Sequence, residues 1–576
     1  NNTVIGTGAA DALTDSSYNT VAGYQALTTE IQGTHTTVIG YQAGYAQNKG
    51  SATAMNNSYV GLQAGYNNVT GINNTAIGQG AGKGVSTKSH SNCVYIGKDA
   101  GLTAYTGAGN IAIGASAMDD TDAGTTSGAS ENNIFVGFHA GGGTWANTQT
   151  DNAVALGAYA LYGALDNVDG TVAIGGNALT ALTSGAGNTA IGYQAADSVG
   201  TGANNTIVGY NSLIEANTAA NNNTTLGKGA LQNASSATNT GNIAIGSASL
   251  TGGSGALTGN IAIGQNALDD TTSNAQTGTI AIGHQALTAL TTGAGNTAIG
   301  YEALKTANEV QSVAIGYQSM AISATGSNGV FIGYKAGYDL SAGHDNNVAI
   351  GHESMSGTHG GGSEKNTAVG SGTMAGAINA AARNTAVGYD AGAAITTATD
   401  NVLLGTNSGD SITTGANNTV VGKSALSSAA DDESGNVAIG NSALDVAKQN
   451  GTVSATNREV KNNVAIGLNA LYGGTLTGTN HLEGCVAIGK DAMDATGANN
   501  QIGTIAIGQS ALGALTSGTS NTAVGYQSGL LTTTGGANVY IGYQAADATH
   551  VDATANIAIG KNAFGGTHTG TVCHYN

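Results

Sequence analysis

The nine residues Asn296-Thr297-Ala298-Ile299-Gly300-Tyr301-Glu302-Ala303-Leu304 recur, with substitutions, from Val4-Ile5-Gly6 to Ala558-Ile559-Gly560. Aligned on the glycine that closes the apolar run, 31 copies stand 16 to 27 residues apart, most often 17. A period of that size means stacked units, because one short unit cannot bury its own apolar face. The chain of 576 residues is therefore read as a single repeat region, 1–576, and not as several globular domains.

Each position of the unit carries a physical expectation. The residue before the glycine is Ile, Val or Leu in 30 copies, Ala22 being the exception. Two before it stands Ala in 19 copies, and three before it Thr, Val, Ile or Ser. Successive side chains of a strand point to opposite faces. The Ile and the Thr or Val share one face, expected to fill the inside of a coil, and the Ala faces outward. An outward apolar row needs a partner, most simply further copies of the chain. On this reading Ala76, Ala112, Ala190, Ala298, Ala314, Ala438 and Ala506 lie at a subunit interface.

Four before the glycine, Asn stands in 22 of 31 copies, including Asn188, Asn205, Asn223 and Asn436. Asn tolerates left-handed backbone and, stacked at one rung spacing, can hydrogen-bond up and down as a ladder. The ladder accounts for the register of these residues; glycosylation of the many Asn-x-Thr triplets does not. After the glycine, the third residue is always small and the fourth mostly Leu, Gly or Met. This predicts a second short strand with one inward anchor. The remaining Gly, Thr, Ser and Asn of each unit read as return loops.

Composition narrows the function. The 93 glycines and absence of proline suit coils with a corner on every turn and an unbroken backbone ladder. Only 9% of residues are charged and the net charge is −19, so no basic stripe offers itself to nucleic acid. No transmembrane run is present within this segment, and three cysteines make no disulfide framework. Free thiols are expected at Cys93, Cys485 and Cys573.

No motif points to catalysis, a cofactor or a metal. Gly78-Gln79-Gly80-Ala81-Gly82-Lys83-Gly84 lacks the Ser or Thr a phosphate loop places after its Lys. The acid pairs Asp119-Asp120, Asp269-Asp270 and Asp431-Asp432 read as solvated turns. Tyrosines directly after the glycine, such as Tyr24, Tyr193 and Tyr301, read as a packing stripe rather than a sugar platform. An ice-binding Thr array is set aside because its face is expected to be buried.

Irregular loops are the places for specificity. Insertions fall near 48–57, 119–131, 141–149, 448–461 and 475–484. Two of them supply the candidate ligand contacts: Trp145, the only tryptophan, and the charged group Lys448, Arg458, Glu459 and Lys461.

The Asn-Thr-Ala-Ile-Gly core resembles the head repeats of YadA-like trimeric autotransporter adhesins. Its longer form, Asn188-Thr189-Ala190-Ile191-Gly192-Tyr193-Gln194-Ala195, also looks like repeats in phage tail-fibre proteins. The resemblance implies a left-handed parallel β-roll in a side-by-side homotrimer. The units here, about 17 to 19 residues, are longer than the usual adhesin-head repeat, and neither stalk, membrane anchor nor C-terminal chaperone is evident. The expected fold is an all-β parallel solenoid of about 31 rungs, at ~4.8 Å per rung a rod of roughly 150 Å. The expected role is the shaft or head of an extracellular fibre, on a virion or a cell surface, attaching to a host glycan or protein. A purely structural filament is the alternative, and a tailspike-like polysaccharide depolymerase the remote one.

Overall fold

The structure, a computed structural model, describes residues 1–566 apart from 122–128, 146–147, 215–218, 233–238, 254, 272–274, 291–292, 307–310, 324–325, 341–342, 429–432, 449–459, 477–480, 498–499 and 549–553. Cys573, Arg458, Glu459 and the pair Asp431-Asp432 lie outside the described residues. The chain forms two compact units, Asn1–Gly295 and Asn296–Asn576. Both are parallel β-solenoids, and no α-helix occurs among the described residues. The first carries 16 three-residue strands closing on the repeat glycine, from Thr3–Ile5 to Ile280–Ile282; the second carries 15, from Thr297–Ile299 to Ile557–Ile559. Within each unit every such strand pairs in parallel with the next, position for position, as in Val172↔Thr189, Ala173↔Ala190 and Ile174↔Ile191.

The faces of these strands are the reverse of the expectation. The middle residue points into the coil and its two neighbours point out. Ala76, Ala112, Ala190, Ala298, Ala314, Ala438 and Ala506 are all 0% exposed in the single chain, so none is available to a partner. The outward residues include Ile39 at 43%, Ile77 at 41% and Leu226 at 50% exposed. Size explains the reversal. A coil of 17 residues encloses little space, and a column of methyl groups fits where a column of Ile would not.

The repeat glycine has its own cause. At Gly316 φ is +139°, a conformation open only to glycine, and a Cβ there would collide with the Gly333 carbonyl of the next rung. The expected second strand is instead a tight turn. The second and fourth residues after the glycine are left-handed even when not glycine, as at Gln194 (φ 53°) and Ala196 (φ 53°). Its inward anchor is as expected: Met118, Met320, Met355, Met374 and Met493 are buried.

Anchor and strand centre share one space. Where the centre is Ala, the anchor is generally Leu or Met. Where it is Tyr59, Tyr95 or Phe331, the anchor position holds Gly65, Gly101 or Gly337. A Cβ on Gly65 would lie 2.6 Å from Cε1 of Tyr59, so the ring fills the room of the missing side chain.

The Asn ladder is present and buried. The Asn205 backbone N–H donates to Asn188 Oδ1 at 3.1 Å. Its side-chain amide donates to the same oxygen at 2.9 Å and to the Ala220 carbonyl at 2.8 Å. The series continues through Asn223, Asn242 and Asn260. In the second unit it runs from Asn347 to Asn463. Left-handed backbone falls one residue earlier than expected, at Asn204 (φ 59°) and Asn222 (φ 57°). Cys93 and Cys485 take ladder positions as buried free thiols. The Cys485 backbone N–H donates to Asn463 Oδ1 at 2.9 Å, and burial pushes its thiol up to about 11.

Two buried histidines give the fold an acid weakness. His90 has no hydrogen-bond partner on either ring nitrogen, and burial holds its imidazole down to about 4. Burial, with the His344 ring at 5.6 Å, does the same to His359. An unfolded histidine binds its proton near 6.5. Stability is therefore complete above that pH and lost as pH falls toward 4, by up to about 3 kcal/mol per site. Half-buried Asp119, Asp410 and Asp494, raised by desolvation, act in the opposite direction. Denaturant midpoints measured from pH 7 to pH 4 should fall less in His90→Leu and His359→Leu than in the wild type.

Candidate functional site

The outward strand face is exposed along each unit. Three positions before the glycine the side chains are Thr, Ser, Val or Ile, and directly before it Ile, Val, Leu or Ala; no rung places a charge in either column. Rungs ~4.8 Å apart and strands ~10 Å wide give each unit a flat uncharged face of roughly 700 Å². A face left to water would carry Lys and Glu to block edge and face association. This reopens the ice-binding reading, whose objection was burial of the Thr. The array itself argues against it: Ile243, Ile261 and Ile280 replace Thr in succession, as do Val313, Val330 and Val348.

Beside this face runs the tyrosine stripe. Tyr301 stacks on Tyr317 at 5.0 Å, Tyr317 on Tyr334 at 5.5 Å, and Tyr334 on His352 at 4.9 Å, with rings within 12° of parallel. Such columns pack rung on rung. Tyr301, Tyr317 and Tyr334 are 41%, 46% and 41% exposed.

Trp145 is not the exposed loop aromatic that its setting suggested. It is 0% exposed, its indole N–H donates to the Gly141 carbonyl at 2.9 Å, and its ring meets the edge of Phe135 at 5.8 Å. Its backbone N–H donates to the Asp120 carbonyl, and Thr144 donates to the Asp120 carboxylate at 2.7 Å. Trp145 therefore pins the insertion to the coil, and a ligand cannot touch it. Solitude among glycines suggested exposure, whereas the Phe135 ring and the Gly141 carbonyl hold the indole inside.

The second candidate group is partly placed. Lys448 ends the strand Val446–Lys448, which pairs with Gly473–Leu476. Lys461 lies in Val460–Lys461, between Glu433–Ser434 and Leu482–Glu483, directly beside Glu483. Val460 is buried, and its carbonyl accepts the Asn436 amide at 2.7 Å. The insertion expected outside the ladder thus starts and ends within additional strand pairs, which the polar sequence gave no reason to expect.

Gly78-Gln79-Gly80-Ala81-Gly82-Lys83-Gly84 is an ordinary rung turn with no helix after it. Among the described residues no group of three or more His, Cys, Asp or Glu side chains could hold a metal ion, and no helix is long and apolar enough to cross a membrane. No family model matches the chain, and no curated protein matches it.

Proposed function

We propose that the chain is the shaft or head of an extracellular homotrimeric fibre that attaches a virion or a cell to a surface. The observation that carries this reading is the uncharged outward Ile/Thr face, repeated on every rung and left partly exposed among the described residues. Two further copies supply the cover, each presenting the same face. At roughly 700 Å² per unit, the area lost to partners reaches that of a stable protein interface. The Asn and glycine columns then act mechanically, since stiffness and length scale with the number of identical rungs. Electron microscopy of source particles decorated with antibody against this chain tests the role. Fibres labelled outside the particle are expected; label confined to the interior, or to isolated globules, would contradict it.

A further inference from the structure

Attachment needs a place where the uniform surface changes, and one lies on the rungs closing at Gly114, Gly137 and Gly157. Phe138, Tyr159 and Tyr162 are 47%, 37% and 36% exposed and gather around His139. Tyr159 stacks on His139 at 5.5 Å, 9° from parallel. Phe138 stands at 82° to His139 and 88° to Tyr159. Tyr162 stands at 88° and 82° to the same two rings. The result is not the parallel column of the tyrosine stripe but a central stack with rings upright beside it. His139 Nδ1 is buried and faces Asp119 Oδ2 at 3.9 Å.

We infer that this aromatic corner is a binding site for an uncharged pyranose unit of a surface glycan, an inference that rests on the attachment reading above. A pyranose has an apolar C–H face and a rim of hydroxyls. Rings set at right angles accept the C–H face on one wall and its edge on another, while the two tyrosine hydroxyls meet the rim. Asp119 and Asp120 beside the corner, in a chain of net charge −19, disfavour anionic sugars. The site is distinct from the Trp145 contact proposed from sequence, but depends on it, because the Trp145 loop holds Asp120 in place.

The full chain is tested by saturation-transfer NMR against the methyl glycosides of glucose, galactose, mannose and N-acetylglucosamine, with tetramethylammonium as a cationic probe. Saturation should pass from the protein to ring C–H protons of at least one pyranoside. Phe138→Ala and Tyr162→Ala should each weaken that binding about tenfold, the worth of one aromatic contact. Tyr193→Ala, in a regular stack, should leave it unchanged. Circular dichroism and sedimentation of each variant separate lost binding from lost folding. The inference is overturned if no pyranoside receives saturation, if Phe138→Ala and Tyr162→Ala bind as the wild type, if Tyr193→Ala loses as much, or if tetramethylammonium outcompetes every sugar. Sedimentation of the wild type reports the fibre assembly independently, so a trimer that binds no sugar sinks this site alone.

Discussion

Gly316→Ala is expected to unfold its part of the solenoid at temperatures where the wild type is intact, with a loss of about 4 kcal/mol or more. Two costs add. The backbone at φ +139° is closed to any residue with a side chain, and the new methyl group would sit on the Gly333 carbonyl. That carbonyl belongs to backbone that is itself hydrogen-bonded to the next rung, so it cannot withdraw alone. The neighbouring exposed position offers a control: Tyr317→Ala removes a much larger side chain, yet should cost less than about 1 kcal/mol. Chemical denaturation of both variants makes the comparison. Equal stability of Gly316→Ala and wild type would mean that the glycine column does not set the rung spacing.

The second large effect is a rescue. Phe331→Ala should cost about 3–5 kcal/mol by opening a cavity in a dry core. Gly337→Leu should also be strongly destabilising, because its Cβ would already lie 2.6 Å from Cε1 of Phe331. Combined, the two changes recreate the pairing of Ala298 with Leu304, whose φ of 52° matches the +59° of Gly337. The double variant should therefore recover most of the loss, with a coupling of roughly 3 kcal/mol measured by a double-mutant cycle. Additive losses would show that centre and anchor do not share one space.

What the sequence made legible was periodicity. The glycine register, the Asn ladder and the methionine anchors follow from strict spacing, because each is a column in which identical residues meet themselves. Which way a three-residue strand faces was not legible, since it is apolar on both sides and alternation alone cannot choose. The chooser is volume: a column of Ala fits inside a narrow coil and a column of Ile does not. The co-occurrence of Tyr59 with Gly65, and of Phe331 with Gly337, was a readable sign of this, because only residues inside the coil need to compensate one another. Trp145 was misplaced for the same reason, its pocket being visible only with Gly141 and Phe135 in view. The aromatic corner also left a trace in sequence. Tyr159 stands second after its glycine, one place on from the tyrosine stripe, and a departure from register is where a repeat protein carries something other than its own scaffold.

What covers the Ile/Thr face decides the assembly, and sedimentation equilibrium of the intact chain tests it most directly. The expected mass is three times the 56.0 kDa of one chain. Ile191→Glu with Leu226→Glu, which puts charge on the outward face and leaves the Ala column untouched, should shift the mass to a single chain or drive the protein out of solution. A wild-type mass of 56.0 kDa, unchanged by those substitutions, would contradict the trimer and leave the face open to water.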